Sequence, residues 1–494
     1  MSITDTTPAS ASNNRTVNTI TRGFFAVILI GYVIVGALFA IRTPAWQAPD
    51  EPAHYNYVAQ VASGGCCPLI EPGDWDSNYL ETLKSARFAP DLLDEIDSVQ
   101  YEDHQPPLYY LLLSPVYKLT DGSLTALRIA SVLIGTLVVI SAFGIGRELY
   151  PSQPQIALGA AAFVAFQPQH VAILASVNND ALGWALVGLI LWALVVYLRQ
   201  SPQASRIETW MIGLLLGLGL ITKATTYMMA GVALIVIVLK VWSLRRYSHA
   251  SQGITPNKPF TFTQPLWMVS LREAAELVIP ALCLGLVWWL RNFSVYGVPD
   301  FLGLRAHDAV VVGQLRTATE ISTIGFAAYL ENFLRTTFYS FWGMFGWQGL
   351  PLVGNPTVDW IYPLIGLLLL LAASGVVIGL VRWWRQSRQF PPLPENTTHD
   401  LRLVWLMLAA LIVLSILQYF YYNTEFVQFQ GRYMFPLLIP LGLLIALGLD
   451  AWRRLLLGRW PASRWLVPLI LCGFALLDIY LLWRVIVPSL SPVG

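Results

Sequence analysis

Run after run of apolar residues long enough to approach or cross a bilayer limits this chain to very few folds. In hydrocarbon every backbone N–H and C=O must be paired within the protein, so such runs form a bundle of spanning helices. About 20 apolar residues cross the roughly 30 Å core. Runs near that length lie at about 24–42, 124–146, 155–175, 181–198, 209–223, 227–243, 273–290, 358–381, 402–422, 434–450 and 465–487. These eleven runs predict an all-α polytopic membrane protein with about eleven transmembrane helices. Composition agrees: 56% of residues are hydrophobic and 12% charged, about half the charged share of a soluble domain. A net charge of +1 gives no basic footprint for nucleic acid.

Charge sets the orientation. With the N-terminus cytoplasmic, the short inner loops collect Arg22, Arg147, Arg199, Lys240, Arg382, Arg385, Arg453, Arg454 and Arg459, while the short outer turns carry almost no base. That is the positive-inside pattern, and with eleven spans it puts the C-terminus outside. The run "PPLYYLLLSPVY", 106–117, is too short to span and reads as a juxtamembrane helix. Residues 1–22 are polar and Ser/Thr-rich and read as a disordered cytoplasmic tail; 23–490 read as one membrane-embedded domain. Its two long outer segments are 43–123 and 291–357. The expected location is the plasma or inner membrane, multi-pass, with the working face extracytoplasmic. Cys66 and Cys67 lie in a polar loop; no disulfide framework is expected, and a bond between these neighbours stays open.

Once oriented, the unusual polar residues gather at the outer face. "PDEPAHYNY" follows the first helix, with Asp50, Glu51, His54 and Tyr57. "YEDHQPPLYY" brings His104 and Gln105 behind Glu102 and Asp103, an adjacent pair in what reads as a flexible acidic stretch. Short turns add Asn179 and Asp180, Lys223, and Arg432 with Tyr433; Arg291 and Asn292 open the second long segment, and Trp342 lies in its aromatic stretch "FYSFWGMFGW". Asp50 and Asp180 also suit helix N-caps, while Lys223 and Arg291 suit helix C-terminal dipoles. Arg432 precedes a helix, where the dipole opposes it. Three lone cations on a base-poor face suit a lipid phosphate or diphosphate. Trp342 is either an interfacial anchor or a stacking platform for a sugar. No cofactor motif is present; a divalent ion is the one cofactor the residues allow, with Glu51, His54 and Asp180 as candidate ligands.

"PDEPAHYNYV", "HQPPLYYLLLSPVY" and "LRIASVLIGTLVVISAFGIGRELY" resemble the C-type (GT-C fold) membrane glycosyltransferases, relatives of the protein O-mannosyltransferases and the lipid A aminoarabinose transferases. With "SVNNDAL", "LITKATTYM", "WWLRNFSVYGVPDF", "SFWGMFGWQGLPL" and "QGRYMFPLL", the chain is most similar to a bacterial branch described as a domain of unknown function. The resemblance implies a helical bundle whose first outer loop forms juxtamembrane helices over a cavity. It also implies transfer of a sugar from a polyprenyl phosphate or diphosphate to a glycan, lipid or protein acceptor outside the cytoplasm. An acidic first-loop residue would act as base or orient the acceptor. By position that is Asp50, with Glu51 the adjacent alternative. The transferase reading requires Asp50, Asp180 and the cations to converge. The competing readings are a polysaccharide ligase or polymerase, and a transporter or flippase without bond cleavage.

Overall fold

The computed structural model describes residues 8–199, 206–250, 265–389 and 395–492. Helix α1 (Pro8–Arg42) comes first, so the tail expected to be disordered over 1–22 is helical from Pro8 onward; residues 1–7 lie outside the described chain. The first outer segment contains α2 (Glu51–Ser63), α3 (Ser77–Ser85) and α4 (Leu108–Leu119). There follow α5 (Leu124–Leu149), α6 (Pro154–Ala165), α7 (Pro168–Leu174), α8 (Asp180–Arg199), α9 (Arg206–Leu220), α10 (Met228–Ala250) and α11 (Leu266–Tyr296). The second outer segment holds α12 (Leu304–Val310), α13 (Thr317–Ile324), α14 (Phe326–Trp342) and the antiparallel pair β1 (Met344–Phe345) and β2 (Leu350–Pro351). The chain then runs through α15 (Ile361–Gln389), α16 (Glu395–Glu425), α17 (Leu438–Leu457), α18 (Leu466–Cys472), α19 (Phe474–Leu481) and α20 (Val487–Leu490).

The protein is an all-helical, multi-pass membrane protein. Among the described residues eight helices are long and apolar enough to cross a membrane. Two shorter apolar stretches, Ile207–Leu220 and Ala224–Lys240, and the bent pair α6–α7 occupy the remaining runs marked in the sequence. The pair bends by 60° because Pro168 starts α7, where it has no N–H to continue the ladder. Gln167 caps the new helix, its Oε1 accepting from the His170 N–H at 2.5 Å, while its amide nitrogen donates to the Phe341 carbonyl. The break therefore ties the bundle to α14.

Packing without a hydrophobic drive between helices depends on close backbone approach. Helices α15 and α17 meet through Gly375 and Gly448, where a Cβ on Gly375 would lie 2.0 Å from the Gly448 carbonyl oxygen. The stretch expected to lie on the membrane surface is α4, packed along α2. The N-terminus of α2, the start of α8 and a 3₁₀ turn at Gly431–Leu437 then meet at one end of the bundle.

Candidate active site

Asp50 occupies the N-cap position of α2 but does not cap it. Its backbone is left-handed, φ 67°, and its side chain makes no bond to the helix N–H groups. Such a conformation costs of order 1 kcal/mol or more and persists where surrounding contacts enforce it. Here they do: Tyr101 Oη donates to Asp50 Oδ1 at 2.9 Å, and Arg432 donates to Oδ2. Burial pushes the Asp50 carboxyl up, but Arg432, His54 and Tyr101 together outweigh it and the net shift is downward. Asp50 is therefore an ionised, fixed carboxylate.

Arg432 is placed by the turn that carries it. Gly431 lies so close to α14 that a Cβ would sit 2.3 Å from the Phe341 nitrogen. Its N–H donates to Ser340 Oγ at 2.8 Å, and Arg432 Nε donates to Gln430 Oε1 at 2.6 Å. Gly431→Ala should push the turn away from α14 and carry Arg432 off Asp50. The expected result is a stability loss of about 1–3 kcal/mol, read by thermal unfolding in detergent.

The other Arg432 amino group lies 3.8 Å from Asp180 Oδ2, and Asp180 Oδ1 meets Lys223 Nζ at 2.7 Å. Four side chains from four parts of the chain thus form one alternating array: Asp50, Arg432, Asp180, Lys223. Asp180 is free for this because it does not cap α8 with its carboxylate. Asn178 Oδ1 accepts from the Asp180 N–H at 2.9 Å instead.

Glu51 takes a different part from the one its position suggests. It is fully buried and bound by Arg128 through Nε at 2.7 Å and Nη2 at 2.6 Å, with further N–H donors from Val177 and Trp46, both at 3.1 Å. Every lone-pair direction is taken, so Glu51 is an anchor and Asp50 is the acid that faces the cavity. Arg128 was not singled out in the sequence because it looked like one more residue of an apolar helix.

Beneath the array lies a polar layer. His54 Nδ1 pairs with Tyr110 Oη at 2.8 Å; burial, then Lys223, hold the imidazole neutral, down to about 3. Tyr57 stacks on Tyr110 at 3.7 Å and donates to the Gln105 carbonyl at 3.0 Å. Asn179 Nδ2 reaches Tyr110 Oη at 3.3 Å and Gln105 Oε1 at 3.4 Å. His104 packs against His307 at 4.5 Å, with burial holding it neutral. These residues position the site from behind.

Asp50 opens into a cavity of about 230 Å³ whose walls include Tyr101, Glu102, His307, Trp347 and Tyr433. Trp347 and Gln348 on its rim also have left-handed backbones, φ 54° and 63°. On its wall Glu102 Oε2 and Gln314 Oε1 are buried without a hydrogen-bond partner, and so are Asp180 Oδ2 and Arg432 Nη1 in the array that ends at Asp50. Buried polar groups are normally bonded, so this concentration marks a place for a polar ligand.

Three other candidates do not join the array. Arg291 donates to the carbonyls of Cys67 (2.9 Å) and Pro68 (2.6 Å), securing the loop in which Cys66 and Cys67 form a disulfide. Asn292, fully buried, donates to the Phe301 carbonyl at 2.9 Å. Trp342 is 3% exposed and packs among Phe163, Phe338 and Phe341, so it is core and not a platform. The proposed metal ligands Glu51, His54 and Asp180 are each held by other partners, and among the described residues no group of three or more His, Cys, Asp or Glu could hold an ion. The residues do not fit a metal site.

Comparison with known proteins bears on this geometry. Residues 104–255 match the family model described as dolichyl-phosphate-mannose-protein mannosyltransferase. The match bears out the resemblance to membrane glycosyltransferases over less than a third of the chain, and it contains His104, Gln105, Asn179, Asp180 and Lys223. No curated protein matches the chain. Among solved structures, ArnT from Cupriavidus metallidurans bound to undecaprenyl phosphate is similar at 15% identity and TM-score 0.45, over 94% of this chain and 73% of that one. The same protein in its apo state gives 14% identity and TM-score 0.46, over 96% and 74%.

Proposed function

We propose that this protein is a glycosyltransferase that moves a sugar from a polyprenyl-phosphate or polyprenyl-diphosphate donor to an acceptor on the extracytoplasmic side of the membrane, with inversion. The observation that carries the proposal is the Asp50, Arg432, Asp180, Lys223 array, whose Asp50 end opens into a cavity with the unpartnered Glu102 Oε2 on its wall. Inverting transfer needs an acceptor oxygen aimed at the anomeric carbon and cations to stabilise the departing phosphate. Asp50 supplies the first, as a fixed carboxylate that orients the acceptor hydroxyl. Arg432 and Lys223 supply the second, as the cations of the array. An acidic residue of the first outer segment takes the proton. The acceptor is a glycan, lipid or protein hydroxyl.

The test is release of polyprenyl phosphate from a panel of undecaprenyl-phosphate hexoses, with an extract of envelope acceptors, by wild type and Asp50→Asn. Wild type should turn over at least one donor, and Asp50→Asn should lose about 10²-fold while remaining folded. A flippase reading has one observation on its side: Asp478 is fully buried in α19 with neither carboxylate oxygen bonded, as intramembrane acids in transporters often are. It predicts donor binding and flux with no bond cleaved.

A further inference from the structure

Glu102 and Asp103 read in the sequence as an adjacent pair in a flexible acidic stretch, and the structure holds both against the protein. Asp103 is 1% exposed, and Gln60 donates to its Oδ2 at 2.7 Å. Glu102 lines the Asp50 cavity, next in sequence to the Tyr101 whose hydroxyl holds Asp50. Its Oε2 is buried and has no hydrogen-bond partner. Asp50, by contrast, has both oxygens engaged, and protonating it would break its ion pair with Arg432.

We propose that Glu102 is the residue that takes the proton of the acceptor hydroxyl, with Asp50 only orienting that hydroxyl. This rests on the transferase reading. In the step, the acceptor oxygen forms a bond to the anomeric carbon and the bond from that carbon to the phosphate oxygen breaks. The bonding pair leaves on the lipid phosphate, and the acceptor proton moves to the Glu102 carboxylate, to be lost later to water.

The surroundings match that task. Groups facing Glu102 are Asp50, Tyr101, Asp103, Tyr110, Lys223, Tyr422 and Arg432. Burial and then the Asp50 charge push the Glu102 carboxyl up to about 7, with Lys223 and Arg432 pulling the other way. A base is most effective with a pKa near the working pH. The sign follows: Glu102 must be ionised to accept a proton, so the rate falls as pH drops through about 7.

Two measurements test the proposal, and the first needs no donor. Infrared titration of the purified protein should show a protonated carboxyl band that disappears with a midpoint near neutrality. Glu102→Gln should remove the component with a midpoint near 7 and leave the one near 8 that belongs to Asp103, while Asp103→Asn should do the reverse. The second is the pH profile of polyprenyl-phosphate release with an undecaprenyl-phosphate hexose that wild type turns over. Glu102→Gln should be slower by about 10² or more and lose the acidic limb; Glu102→Asp should restore a limb, and Asp103→Asn should keep the wild-type profile. A Glu102→Gln enzyme with the wild-type rate and profile, or an infrared titration unchanged by it, overturns the proton role alone. A wild type that releases nothing from any donor, with the infrared titration as expected, overturns the transferase reading and the proton role with it.

Discussion

Arg128→Met lowers the stability of this protein by about 3–5 kcal/mol, the range for breaking a buried ion pair by removing one partner. The size follows from what is left behind. Glu51 is fully buried, and its carboxylate would keep only two backbone N–H donors. The carbonyls of Ala40 (3.2 Å), Thr43 (2.7 Å) and Pro44 (3.1 Å) would lose their donor at the same time. Because these acceptors lie between α1 and α2, the damage falls on the joint that aims Asp50. Thermal unfolding in detergent reads the loss, and Glu51→Leu combined with Arg128→Met should recover much of it, since no uncompensated charge then remains. A single Arg128→Met variant that melts with wild type would show that the pair does not hold the joint.

Arg432→Gln should reduce turnover by about 10²- to 10³-fold, the usual effect of deleting one donor to charge that develops in the transition state. The variant keeps a hydrogen-bonding side chain of similar shape, so the stability loss should be the smaller part. It has a second signature. Arg432 is the foremost of the groups that lower the Asp50 carboxyl against burial, so its removal lets that carboxyl rise. The variant should therefore need a higher pH to reach its own maximum. A variant that binds and cleaves donor as wild type does would remove Arg432 from the leaving-group side of the proposal.

Much of this was legible in the chain. Long apolar runs announced the helices, a compositional signal that survives without knowledge of packing. The convergence of Asp50, Asp180, Lys223 and Arg432 was legible because charged side chains are rare at such positions and each stands out. Roles within pairs were not. Asp50 and Glu51 are neighbours with the same chemistry, and only the position of Arg128, 77 residues after Glu51, separates anchor from working acid. Glu102 was passed over because an acid in a polar loop normally faces water. The cavity wall it joins is built from residues far away in sequence, His307 and Tyr422 among them. Trp342 was ambiguous for the reverse reason, since an aromatic residue suits a core and a sugar platform equally well.

The Asp50 and Arg432 contact joins residues 382 positions apart. During synthesis the acid leaves the ribosome early and its cation only after most of the helices have been made. Until that last turn docks on α14, the growing chain has no complete array. On the transferase reading proposed above, turnover cannot precede the late helices. Turnover can then serve as a report on completed assembly, so that two separately expressed halves would regain activity only on re-forming that one contact.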